Sequence, residues 1–130
     1  MFGKKKNNDP IYDMLVTHLE KLEVKKHGDL INAAARQLDG EQILTAATGK
    51  VDGNPALIVA CESGLVLFSG KPKKLTRRDV SYSDVRHVED GLAFAGRWLV
   101  LQMTDGAIRM DKSHSKILPS LTELIQARMV

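Results

Sequence analysis

The chain has 130 residues, 43% hydrophobic and 27% charged, which suits a single soluble domain built on one core. Aromatic residues make up only 5%, too few for a stacking groove for single-stranded nucleic acid, and the single cysteine, Cys61, excludes a disulfide framework or a multi-thiolate metal site. Nineteen Lys and Arg against sixteen Asp and Glu leave a net charge of +3, too mild to imply a polyanion partner by itself.

The amino terminus is basic at Lys4, Lys5 and Lys6 but has no apolar stretch behind it, so a secretory signal is not expected. The longest apolar run, Pro55 to Cys61, is too short to span a bilayer, and with one cysteine the expected setting is the reducing cytoplasm. Residues 1–8 read as a basic disordered tail.

Asp9 followed by Pro10 marks a helix start, with aspartate as cap and proline in the first turn. Tyr12, Leu15, Leu19 and Leu22 then recur at steps of three and four, predicting one helix to about Val24. Lys25, Lys26, His27 and Gly28 break this stripe. Leu30, Ile31, Ala34 and Leu38 form a shorter second one, with Gly40 placed to stop it. Residues 9–40 are therefore expected to form a helical hairpin or two linked helices.

From Glu41 the pattern changes to short apolar runs separated by turn residues, the mark of successive antiparallel strands. Strands are predicted at Ile43 to Lys50, Pro55 to Cys61, Leu65 to Ser69 and Leu75 to Tyr82, the last polar enough to be a sheet edge. A turn or bulge at Ser83-Asp84 precedes a short fifth strand ending at Asp90-Gly91. Arg97 to Thr104 and Ala107 to Asp111 form a final hairpin across Asp105-Gly106. Leu57, Val59, Leu67, Leu99, Leu101 and Ile108 are expected in the single core, with Leu121, Leu124 and Ile125 from a closing helix. That helix starts either at the Ser120–Glu123 capping box or earlier, from Ser113 or Ser115, with Pro119 near its first turn; the earlier start is favoured.

Gly64-Leu65-Val66-Leu67-Phe68, followed by Val80-Ser81-Tyr82-Ser83-Asp84-Val85-Arg86-His87-Val88-Glu89, resembles bacterial pleckstrin-homology-like (PH-like) domains of the YokE-like type. In that family a similar apolar run with phenylalanine precedes a Tyr-x-x-Ile/Val-x-x-Val element. The resemblance spans roughly Glu41 to Met129. It implies a mainly β fold: a seven-stranded, partly open antiparallel barrel over 41–130, capped by a C-terminal helix and here preceded by the N-terminal helical hairpin. It implies little about ligand, because the fold hosts unrelated roles. Phosphoinositide-binding relatives place several basic residues at the first hairpin turn. Here that turn offers Lys50 and then Asp52, Gly53 and Asn54, so a stereospecific inositol-phosphate site is not expected.

The sequence nominates no catalytic, cofactor-binding or metal-binding residue. His18, His27, His87 and His114 lack ligand spacing, Cys61 ends an apolar strand, Trp98 suits the core or barrel rim, and the glycines sit at turns. Lys71, Lys73, Lys74, Arg77 and Arg78 form the densest basic cluster and are the candidate contact for an anionic surface, with Lys4 to Lys6. Tyr12, Leu15, Leu19 and Leu22 form a seam too short to stand alone in water, so it is expected to cover either its own barrel or another subunit. The function expected is a noncatalytic module for protein association or homo-oligomerisation. The alternative is a peripheral membrane module binding anionic lipid nonspecifically, and no nucleic acid is expected.

Overall fold

A computed structural model describes residues 10–129. The expected Asp9 cap, the 1–8 tail and Lys4 to Lys6 lie outside the described residues. Two helices, α1 (Pro10–Thr17) and α2 (Lys21–Ala35), precede seven strands: β1 (Ile43–Val51), β2 (Asn54–Cys61), β3 (Leu65–Ser69), β4 (Thr76–Val80), β5 (Val85–Ala93), β6 (Gly96–Met103) and β7 (Gly106–Ser113). Helix α3 (Leu118–Arg128) follows. The strands run in the order β4-β3-β2-β1-β7-β6-β5, all pairs antiparallel, with β4 and β5 as free edges. One residue pair, Lys50 with Asp111, joins β1 to β7 and thus the two halves of the sheet.

The helices differ from expectation in where they break. The stripe from Tyr12 to Leu22 is interrupted at His18 to Glu20, and α2 starts afresh through a reciprocal capping box between Glu20 and Glu23. The restart resets the helical phase, so Leu15 and Leu19 are buried while Leu22 is 79% exposed. The interruption expected at Lys25 to Gly28 is instead a kink at His27 (φ −117°, ψ 22°) inside α2.

Three further expectations also shift. The fourth strand stops at Val80, and a single 3-10 turn at Tyr82–Asp84 turns the Tyr82 ring inward, where its hydroxyl donates to the Cys61 carbonyl at 2.6 Å. Strand β5 continues through Asp90-Gly91 to Ala93. Gly91 sits there to admit an indole: it pairs with Trp98, and a Cβ on it would collide with the Trp98 ring. Helix α3 begins at Leu118, between the two expected starts: Pro119 lies in its first turn, as in the earlier one, but Ile117 stands at the cap position without a side-chain bond, so neither Ser120 nor Ser113 or Ser115 caps it, and the Ser113 and Ser115 hydroxyls serve another purpose.

The core is double. Ile58, Leu65 and Leu67 face Leu99, Leu101, Ile108, Leu121 and Ile125 inside the barrel, with Leu124 partly buried beside them. Leu57, Val59, Cys61, Val66 and Phe68 face outward, against Leu15, Leu19, Leu30, Ile31 and Leu38. The expectation of one core containing Leu57 and Val59 is therefore corrected. An uninterrupted run such as Ala56 to Cys61 is what a strand buried on both faces requires. Because both layers share β1 to β3, Ile31→Ala in the outer layer and Leu121→Ala in the barrel are each expected to cost about 2–5 kcal/mol. Urea unfolding should show one shared transition for both; a near-neutral Ile31→Ala would show the helical layer to be dispensable.

Candidate functional site

Glu23, in the first turn of α2, is only 5% exposed. One carboxyl oxygen accepts the Glu20 amide at 3.0 Å. The other accepts the Thr48 hydroxyl at 2.5 Å, the Thr48 amide at 3.3 Å and the Ser115 hydroxyl. The Ser115 amide in turn donates to the Ser113 hydroxyl at 3.1 Å. Thr48 lies on β1 and Ser115 in the β7–α3 connection, so one buried side chain ties the helical layer to both halves of the sheet. With its acceptor sites occupied by donors of the chain itself, this carboxyl group is an anchor, not a reactive group.

One of these donors, Ser115, follows a bulge in β7. Arg97 pairs with Ser113 whereas Leu99 pairs with Met110, so β7 carries an extra residue, and Lys112 takes a left-handed conformation (φ 52°). Gly96 faces the bulge, where a Cβ would lie 2.9 Å from the Ser113 carbonyl oxygen.

Above this anchor lies an open cleft of about 1010 Å³. Its walls carry Lys25 and Lys26 from α2, Lys50 from β1, Arg97 from β6, and Lys112 and Lys116 from the bulge and the following loop. Its two acidic side chains, Glu20 and Glu23, are both engaged in the α2 capping box. Smaller clefts of about 260 and 530 Å³ continue along α2 and add Lys71, then Arg36 and Lys73. Nine Lys and Arg line the three clefts against three acidic residues, and none of the nine makes an ion pair among the described residues. Burial, and then the neighbouring Lys26 charge, lower the pKa of His27; Glu23 opposes them and Lys50 adds to them. Desolvation is thus the main reason that His27 resists a positive charge, with the net effect of the nearby lysines added to it.

The basic cluster read from the sequence is divided by the fold. Lys71 and Lys73 join the α2 clefts, and Lys74 is exposed in the β3–β4 turn. Arg77 is engaged by Asp79 (2.7 Å), the Gln37 carbonyl (2.5 Å) and the Phe68 ring (5.8 Å), and Arg78 lies 3.5 Å from Asp105. Of the association seam, Leu15 and Leu19 are covered within the chain, Tyr12 is half-buried and Leu22 opens onto the basic cleft. Cys61 is fully buried, and burial raises its pKa to about 11. Trp98 is half-buried over Gly91, with Arg109 5.5 Å from its ring centre. Among the described residues, no three His, Cys, Asp or Glu side chains come together as a metal site.

Sequence reasoning missed Lys25, Lys26, Lys50, Arg97, Lys112 and Lys116. Lys112-Ser-His-Ser-Lys116 is visible as a basic segment, but its meeting with α2 depends on the bulge and on Glu23.

Removing the anchor should be costly: Glu23→Ala leaves the Glu20 amide and the Thr48 and Ser115 hydroxyls without this acceptor, while the Thr48 amide keeps the Ser115 hydroxyl oxygen at 3.1 Å, at about 3 kcal/mol in urea unfolding. Glu23→Gln, which keeps the volume and one carbonyl acceptor, should cost less. Two equally neutral variants would show that the layers are held by apolar packing alone. The lowered pKa of His27 means the unfolded chain binds this proton more tightly, so stability falls as pH drops below about 6.5. His27→Gln should remove that part of the slope.

No family model matches the chain, and no curated protein matches it. Two solved structures do. One is a DUF1696 family protein with a pleckstrin-homology domain from Shewanella loihica, 17% identical, with a TM-score of 0.52 over 82% of this chain and 93% of that one. The other is a pleckstrin homology domain from Shewanella amazonensis, 18% identical, with a TM-score of 0.50 over 79% of this chain and 87% of that one. The shared 82% exceeds the 90 residues from Glu41 to Val130, so the likeness reaches into the helical layer. The fold is that of bacterial PH-like domains: a seven-stranded open antiparallel sheet closed by a C-terminal helix.

Proposed function

We propose that this protein is a noncatalytic interaction module, of the YokE-like type of PH-like domain, that holds an anionic partner against its α2 face. The observation that carries this reading is the run of nine unpaired cations along three adjoining clefts. Of the seven other Lys and Arg among the described residues, Arg77, Arg78, Arg109 and Arg128 each have an acidic neighbour within 4.0 Å, and Lys21, Lys74 and Arg86 do not. Uncompensated like charge destabilises the folded chain, so its concentration on one face is better explained by a partner than by solubility. The one buried carboxyl group in the cleft is fully hydrogen-bonded, which favours binding over acid–base chemistry.

Protein association or self-assembly through Tyr12, Leu15, Leu19 and Leu22 has weaker support, since two of these side chains would have to leave their own core. The clefts are open and lined by flexible lysines, which suits charge density more than one stereochemistry.

Heparin chromatography tests the reading with a soluble polyanion. Wild-type protein should be retained at low salt and released as salt rises. Lys26→Glu with Lys116→Glu should weaken binding roughly tenfold or more, at about 1 kcal/mol for each basic residue lost. Reversal of Arg78, already beside Asp105, should matter far less. Equal retention of wild type and the double variant would remove the basis of the proposal.

A further inference from the structure

Resting on the anionic-partner reading, we propose that the partner is an anionic lipid bilayer, and that the β5–β6 hairpin enters it at Phe94 while the α2 face lies on the headgroups. The observation is where the exposed apolar side chains sit. Among the described residues the large hydrophobics most open to solvent are Phe94 (109%), Leu22 (79%) and Leu92 (71%). Leu22 and Leu92 line the same cleft as Lys25, Lys26, Lys112 and Lys116, and Phe94 stands two residues beyond Leu92 at the tip of the hairpin.

The tip is unusual for a solvent-exposed turn. Gly91-Leu92-Ala93-Phe94-Ala95-Gly96 contains no charged or hydrogen-bonding side chain, whereas Asp90 and Arg97 bracket it immediately. Exposed turns ordinarily draw on Asn, Asp and Ser. Nothing in the fold uses the Phe94 ring, while Trp98 one strand away is held against Gly91. An apolar protrusion beside a basic surface matches the depth profile of an anionic membrane, with hydrocarbon below phosphate, and the two attractions act together. A soluble polyanion would use the cations and leave the tip in water. Three apolar side chains would make a small protein interface without the tightly packed centre that specific association needs.

The test uses the 130-residue chain and vesicles of phosphatidylcholine with or without phosphatidylserine. Wild type should sediment with the anionic vesicles and keep a measurable bound fraction at about 0.5 M salt, where surface electrostatics are largely screened. Phe94→Ser should lower vesicle partitioning roughly tenfold, the equivalent of withdrawing most of one phenylalanine from hydrocarbon, and should remove the salt-resistant fraction. Its melting temperature and its heparin elution should match wild type, because the ring packs on nothing. An environment-sensitive fluorophore on Phe94→Cys should shift to the blue with anionic vesicles only; the buried Cys61 does not compete for label.

Heparin binding without vesicle binding, or vesicle binding that salt abolishes and Phe94→Ser leaves unchanged, would overturn bilayer insertion and leave the anionic reading standing. Absence of both heparin and vesicle binding would overturn both. A wild-type dimer that Phe94→Ser converts to monomer would also overturn the membrane assignment, showing that the tip covers a second copy.

Discussion

The hydrogen bonds gathered by Glu23 are the constraint on which the arrangement of layers depends. The two halves of the sheet share a single residue pair, Lys50 with Asp111, so backbone pairing alone holds β1 to β7 weakly. Glu23 crosses that seam, taking donors from Thr48 on one side and Ser115 on the other while its α2 capping bond fixes its own position. Desolvating an acidic side chain is expensive unless its acceptor sites are filled, and here donors from three segments fill them. A buried group so fully bonded specifies one docking of α2, whereas the apolar contacts of the outer layer would tolerate small slides.

The same anchor creates the electrostatic problem that defines the site. By drawing the start of α2, the end of β1 and the β7–α3 connection together, it brings Lys25, Lys26, Lys50, Lys112 and Lys116 around one cleft. Each is a lysine whose stem can lie on the protein while its head reaches water, which limits the repulsion without cancelling it. His27, kinked into α2 beside them, holds its proton less firmly because it is desolvated, with Lys26 and Lys50 adding to the effect. The left-handed backbone of Lys112 belongs to the same compromise, since the bulge that strains it also delivers Ser113 and Ser115 to the anchor.

Most of the barrel was legible because its signals are local. Asp52-Gly53 and Asp105-Gly106 are turn pairs, the apolar runs between them have strand length, and Gly64 to Phe68 with Val80 to Glu89 carry the family likeness. The failures arose where one signal served two uses. Gly91 reads as a turn but is a gap for Trp98, and Glu20-x-x-Glu23 is a helix start concealed inside an apparently continuous stripe. Burial of β2 on both faces placed Leu57 and Val59 in a second core that a one-core reading could not separate. The site was the least legible part. Lys71 to Arg78 is dense in sequence but is broken up by Asp79 and Asp105, whereas the cations that do converge are spread from Lys25 to Lys116.

That spread assigns the site to neither the barrel nor the helices. Lys25, Lys26 and His27 come from the helical layer, and Lys50, Arg97, Lys112 and Lys116 from the barrel, so the cleft exists only where one rests on the other. An anion held between them attracts both walls, adding a second tie across the junction that Glu23 already bridges from below. Anything that binds the docked arrangement and not the separated one stabilises it by mass action. On the proposed function, docking of α2 and binding of an anionic surface are linked equilibria: the buried anchor assembles the cations at the cost of their repulsion, and a bound anion would relieve that repulsion only while the anchor holds.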